Sequence, residues 1–182
     1  MKQEGEKTTL KQTLKDLFRV PIDVYPVGRL DSDSEGLLVL TSDKELNHRL
    51  LNPAFGHERE YWVQVEGIMN QQAADQLSQG VEITIDGKLY HTAKCLVEIF
   101  EKEPQVPLRN PPIRFRKNIP ASWIKIIITE GKNRQVRKMT ARAGYPTLRL
   151  IRHRIGMLTL EGLEPGDIRE LSKKEIYSLL FP

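Results

Sequence analysis

Residues 122–129, Ser-Trp-Ile-Lys-Ile-Ile-Ile-Thr, constrain the fold most. Ile124, Ile126, Ile127, Ile128 and Thr129 are β-branched, and such a run favours extended backbone on a pleated, buried surface. The stretch before it, 103–120, holds five of the eleven prolines. Proline lacks the backbone donor a sheet ladder needs, so this stretch reads as a loop or an irregular edge. The stretch after it, 133–143, reads as a helix. Weaker strand patterns occur at 23–27, 36–41, 60–66, 81–85, 93–100, 147–151 and 155–161.

Helices are expected at 9–18, 43–51, 71–79 and 172–180. Thr9 caps the first, with Leu10, Leu14, Leu17 and Phe18 as its apolar stripe. Ser42 caps the second with Glu45 completing a capping box, and Asn70 caps the third, which Gly80 ends. Strands and helices alternate irregularly, with several possible hairpins. This predicts an α+β fold built on a mixed, mainly antiparallel central sheet with flanking helices. A length of 182 residues bounds the chain at one compact domain or two small lobes sharing a core, and a single domain, 1–182, is expected. No apolar run approaches a membrane span, and the start, MKQEGEKTTLKQ, has no apolar signal region. Cys95 is the one cysteine, so an internal disulfide and a cysteine-built metal cluster are excluded. It sits in the apolar run AKCLVEIF and reads as a core thiol. A cytoplasmic location is expected.

The net charge of +4 hides an asymmetry. Residues 109–154 carry thirteen Lys or Arg and a single acid, Glu130, while the remainder is net −8. A basic block this dense in an otherwise acidic protein points to a polyanion-binding face, against the alternative of a merely solvated surface. On a helix over 133–143, Val136, Met139, Thr140 and Ala143 share one face, and Arg134, Arg137, Lys138 and Arg142 the other. The nearby EGKN is not a nucleotide-binding loop: Ile126 stands where the first glycine would be and Asn133 where Ser or Thr would be.

The richest segment is Gly28-Arg29-Leu30-Asp31-Ser32-Asp33-Ser34-Glu35-Gly36-Leu37-Leu38-Val39-Leu40. Asp31, Asp33 and Gly36 match three positions of a calcium loop, but Ser42 stands where the bidentate Glu is needed and an apolar strand fills the positions before it. Taken alone, the segment is an acidic turn with no assigned chemistry.

GRLDxxSxGLLxLT resembles the catalytic motif of the ribosomal pseudouridine synthases of the small-subunit type, the RsuA family. In that family the nucleophile is the Asp after Arg-Leu, here Asp31, which leaves Asp33 and Glu35 as ordinary loop acids. REYWVQVEG (59–67) resembles the family's second motif and implies that Tyr61 contacts the target base. EGKNRQVRKMTARAGYPTLRLIRHRIGMLTLEGLEPGDIREL (130–171) resembles the third, where the basic residue after Gln-Val, Arg137, pairs with the catalytic Asp. RNPPIR, NRQVR and PTLRLIR are closest to a branch acting on large-subunit (23S) rRNA.

The resemblance implies a cleft across the sheet in which a uridine of rRNA is isomerised. The N1–C1′ bond breaks, the base turns, and C5 rejoins C1′, with no redox change and no group donor, so no cofactor is expected. A carboxylate suits an electron-poor C1′; attack on the sugar, attack on the base, and assistance to a glycal all stay open. Such a base must be everted from its stack. Arg29 is expected to fill the gap. Lys132, Arg149 and Arg152 are expected to contact phosphates, and Asn133, Arg134, Gln135 and Lys138 complete the expected substrate-binding segment. Either Leu148 or Leu150 packs beneath the uracil. The protein is expected to act as a monomer. Two family features are expected to be missing: an N-terminal S4-type module and the first strand ending in Asn-Lys-Pro. The rival reading is an RNA chaperone or ribosome-assembly factor that uses the same basic face without chemistry.

Overall fold

The structure is a computed structural model and describes residues 13–113 and 119–182. In chain order the elements begin with α1 (Leu14–Leu17), β1 (Tyr25–Pro26), β2 (Glu35–Gly36), β3 (Leu40–Thr41) and α2 (Lys44–Leu51), followed by a 3-10 turn at Pro53–Phe55. Then come β4 (Arg59–Glu66), α3 (Gln71–Ser78), β5 (Glu82–Ile85), β6 (Lys88–His91), β7 (Leu96–Ile99), β8 (Ala121–Ile128), α4 (Gln135–Arg142), β9 (Thr147–Ile155), β10 (Leu158–Thr159) and α5 (Lys173–Leu180).

The main sheet runs β10-β9-β4-β8-β7, all antiparallel, with β2 added in parallel to β9. The mixed, mainly antiparallel α+β architecture is therefore present. The Ile-rich run forms β8, an inner strand between β4 and β7. Its alternate residues Ile124, Ile126 and Ile128 are buried on the same face as Val63 and Val65 of β4. Ala73, Ala74 and Leu77 of α3 and Val136 and Met139 of α4 close over them. A second core lies beyond β9, where Leu46 and Leu50 of α2 and Leu180 of α5 pack with Val27, Leu37, Val39, Ile155 and Leu158.

Several local expectations are corrected. Thr9 and Leu10 lie outside the described residues; α1 is a single turn in which Asp16 accepts from the backbone and hydroxyl of Thr13, and Leu14 is exposed. The continuous strand at 36–41 is instead a crossing. After pairing with β9 at Gly36 the chain leaves the main sheet, and Val39 accepts from Val27 in the β1–β3 ribbon. Leu37 and Val39 are buried by packing rather than by a ladder. The cap of α2 is Asp43, whose carboxylate accepts from the amides of Glu45 and Leu46. An Asp caps as well as a Ser, so the helix begins one residue later and no capping box forms at Ser42. Asn70 caps α3 as expected, accepting from Ala73.

β6 was not expected. It pairs with β5 across Asp86 and Gly87, both at positive φ, the two-residue turn that suits hairpin twist. The expected strands at 147–151 and 155–161 are one long strand, β9, followed by the short β10. Cys95 is half-buried and its thiol donates to the Leu77 carbonyl; burial pushes its pKa up to about 11. Among the described residues no helix is long and apolar enough to cross a membrane.

Candidate active site

The acidic loop is delivered by a close backbone contact. Gly36 sits opposite Arg152 in the parallel β2–β9 pair at φ +105°, and a Cβ there would lie 2.3 Å from the Arg152 carbonyl oxygen. Only glycine tolerates both conditions. The Leu37 amide donates to that oxygen at 2.9 Å, and Arg152 Nε donates to the Leu37 carbonyl at 2.7 Å. The loop preceding this clamp closes on itself where the Ser34 amide meets the Asp31 carbonyl. Asp31 is thereby held on one wall of a cleft of about 400 Å³, at the seam between the two cores.

The floor of the cleft is the sheet. Tyr61 of β4 and Leu150 and Arg152 of β9 all line it. Of the two leucines expected near the uracil, Leu150 is among the lining residues and Leu148 is not. A bulge in β9 sets the arrangement: Glu60 pairs with Arg154 but the next residue, Tyr61, pairs with Arg152. The extra residue, His153, lets Arg152 share the cleft face with Tyr61, while Arg154 turns to the back face and pairs with Glu60 and Glu58. Re-aiming a side chain beside a site is a characteristic use of a bulge.

The opposite wall is residues 130–136. Its frame is a buried polar network. Gln135 is 3% exposed; its amide nitrogen donates to Glu130 at 2.6 Å and its oxygen accepts from the Lys132 amide at 3.0 Å. Glu130 also accepts from the Tyr90 hydroxyl and the Ala93 amide, and it raises the pKa of that phenol. This brace holds Arg134 at φ +51° just before α4. From there its guanidinium spans the cleft mouth, bidentate on Asp33 at 2.9 and 2.8 Å and 3.6 Å from Asp31. Lys132 and Asn133 are exposed on the same rim, Lys132 over the Tyr90 ring, and Arg29 is exposed on the facing rim.

The expected pairing differs in detail. Asp31 lies in ion-pair range of Arg134, whereas Arg137 meets the next acid along. Arg137 Nη2 donates to the Asp33 carbonyl at 2.6 Å, and its Nε lies 3.5 Å from the Asp33 carboxylate. The cause is the start of α4: Arg134 falls outside the helix and swings to the loop tip, while Arg137, one turn in, lies beneath the loop and meets its backbone. Burial pushes the Arg137 guanidinium down from its ordinary value, with Asp33 opposing. Hydrogen bonds from Arg134 hold the Asp33 carboxyl below the usual carboxylate range, against its partial burial.

Asp33 and Glu35 are therefore not ordinary loop acids. Glu35 takes a bidentate pair from Arg149 at 3.1 and 2.8 Å and lies 3.6 Å from Arg109. Arg149 is only 8% exposed, also donates to the Pro107 carbonyl, and stacks near Trp123 on the back face. Its guanidinium is engaged within the protein, away from the cleft lining. Arg152, 7% exposed, is likewise no rim residue. Gln135 braces the wall through its side chain, and Lys138 lies on α4 outside the cleft lining. Sequence reasoning missed the Glu130 brace and the Asn52, Pro53 and His57 rim; no spacing rule links them to Asp31.

The family model described as RNA pseudouridylate synthase matches residues 2–142. The chain belongs to this family. A ribosomal large subunit pseudouridine synthase E of Vibrio vulnificus (strain CMCP6) is 48% identical over 162 residues, covering 89% of this chain and 67% of that protein. The protein of the same name from Xanthomonas axonopodis pv. citri (strain 306) is 48% identical over 155 residues, covering 85% and 79%. A crystal structure of a pseudouridylate synthase superposes with a TM-score of 0.73 at 27% identity, covering 92% of this chain and 65% of that one. The cleft thus brings a carboxylate and an aromatic ring together under a basic rim.

Proposed function

We propose that this pseudouridylate synthase isomerises a uridine of large-subunit (23S) ribosomal RNA to pseudouridine, with Asp31 as its catalytic carboxylate. The observation that carries this is that Asp31 and Tyr61 line one cleft, with Leu150 and Arg152 beside Tyr61 on its floor and cations at its mouth. The relatives named for the large ribosomal subunit support the substrate class.

The everted uracil enters between Tyr61 and Leu150, the ring stacking and the leucine supporting the other side. Asp31 faces the sugar and stabilises C1′ as its bond to N1 breaks. The base turns, C5 bonds to C1′, the C5 hydrogen departs as a proton and N1 gains one, so atoms and electrons balance without a co-reactant. The Tyr61 hydroxyl is placed to shuttle a proton. Arg134 orients Asp31 and, with Arg137, stiffens the loop through Asp33. Arg29 occupies the space the base vacates, and Lys132 and Asn133 receive the flanking backbone. Residues 1–182 act in this reading as one catalytic domain, monomeric and in the cytoplasm with its RNA.

The test is Asp31→Asn on RNA carrying tritium at uridine C5, where each turnover releases tritium to water. Release should vanish while RNA affinity stays within about twofold. Retained turnover would remove Asp31 from the reaction. An unmodified protein that binds the RNA but never releases tritium would instead favour the chaperone reading.

A further inference from the structure

Arg152 is built unlike a phosphate ligand. It lies at the bottom of the cleft, 7% exposed, opposite Tyr61 across the bulged β4–β9 pairing. Its Nε is committed to the Leu37 carbonyl at 2.7 Å, yet its Nη2 is buried with no hydrogen-bond partner. A buried guanidinium N–H without an acceptor is unfavourable, and its retention in a ligand cleft points to an acceptor that arrives with the ligand. Burial pushes the guanidinium down from its ordinary value, opposed by its interaction and hydrogen bond with the neighbouring Tyr61 hydroxyl.

Resting on the proposed reaction, we infer that Arg152 Nη2 donates to a carbonyl oxygen of the everted uracil and fixes the base on the cleft floor. Depth decides between this acceptor and a phosphate. The backbone of an everted nucleotide stays with its strand, at the rim, where Lys132 and Arg134 are exposed. What reaches the floor is the base edge. The floor lining, Tyr61, Leu150, Ile128 and Ile155, is largely apolar, which excludes competing water and strengthens a single directed hydrogen bond. The brace to Leu37 holds the planar fork so that Nη2 is presented in one orientation. It also ties the base-reading residue to the strand that follows the Asp31 loop, so base and carboxylate are positioned by one clamp.

The test uses RNA with 2-thiouridine or 4-thiouridine at the target, since sulfur is the weaker acceptor, and reads single-turnover rates at saturating RNA. The unmodified protein should lose about tenfold with one of the two thio substitutions, and that one names the carbonyl. Arg152→Lys should lose a similar factor at unchanged RNA affinity and salt dependence, and should then be indifferent to the same sulfur. If neither sulfur slows the unmodified protein, the inference is wrong even if Arg152→Lys fails to fold. It is also wrong if Arg152→Lys weakens RNA binding and flattens its salt dependence by about one phosphate contact, with sulfur effects unchanged. Absence of turnover on all-oxygen RNA would instead overturn the proposed reaction itself.

Discussion

Replacing Gly36 with alanine adds one methyl group and should uncouple activity from folding. The new Cβ would sit 2.3 Å from the Arg152 carbonyl oxygen and 2.6 Å from its nitrogen, at φ +105°. Both neighbours are backbone of β9, an inner part of the sheet with β4 on its far side, so neither yields. Left-handed strain at a non-glycine residue amounts to about 1–3 kcal/mol. Relieving the overlap forces β2 off β9 and breaks the two Leu37–Arg152 hydrogen bonds, at about 1 kcal/mol each. The total, about 3–5 kcal/mol, falls on one short strand, while the separate core formed by α3, α4 and β8 is untouched. The expected result is a protein with native circular dichroism and a melting temperature lowered by about 6–20 °C. Its tritium release should fall by more than 100-fold, because a 1 Å displacement of a catalytic group costs about that much. Near-normal turnover by Gly36→Ala would show that the β2–β9 clamp does not place Asp31.

Asp33→Asn should release Arg134 from the loop tip while Arg137 keeps its hydrogen bond to the carbonyl of residue 33, lowering turnover at least tenfold while changing global stability by under about 1 kcal/mol, since the Asp33–Arg134 pair is partly solvent-exposed; chemical denaturation alongside single-turnover kinetics separates the two. Arg149→Ala should cost about 1–3 kcal/mol by removing the hydrogen bonds to Glu35 and the Pro107 carbonyl, with Arg109 still beside Glu35, yet leave the salt dependence of RNA binding as it was, which filter binding at several ionic strengths checks. Asp43, whose pKa is lowered to about 2, chiefly by Lys173, should stabilise the fold fully above its unfolded value near 3.8 and lose that contribution as pH falls toward 2. Acid titration of Asp43→Asn should therefore show a shallower loss of melting temperature between pH 4 and pH 2 than the parent chain.

Much of the frame was legible because it obeys period and capping rules. β8 and β4 announce themselves by branched and alternating residues, and α3 and α5 by Asn70 and Ser172 at their caps. Asp31, Tyr61 and Leu150 all line the cleft. Arg149 was misplaced although the information was present: in a strand over 147–151 it points away from Leu150, so both cannot line one cleft. Arg152 and Arg154 were harder, because the bulge at His153 breaks strict alternation and no local residue type marks it. The exchange of partners between Arg134 and Arg137 turns on whether the helix begins before or after residue 134, a one-residue boundary that capping patterns do not resolve. The Glu130 network depends on contacts with Tyr90 and Ala93, far along the chain, which no local pattern encodes.

The seam between the two hydrophobic clusters has a kinetic corollary. Tyr61 and Leu150 belong to or pack on one cluster, whereas Val27 and Leu37, which bracket the acidic loop, belong to the other. A chain that has consolidated either half alone has no groove and no opposed carboxylate. On refolding from denaturant, the first turnover should lag behind recovery of secondary structure and coincide with the slowest docking event.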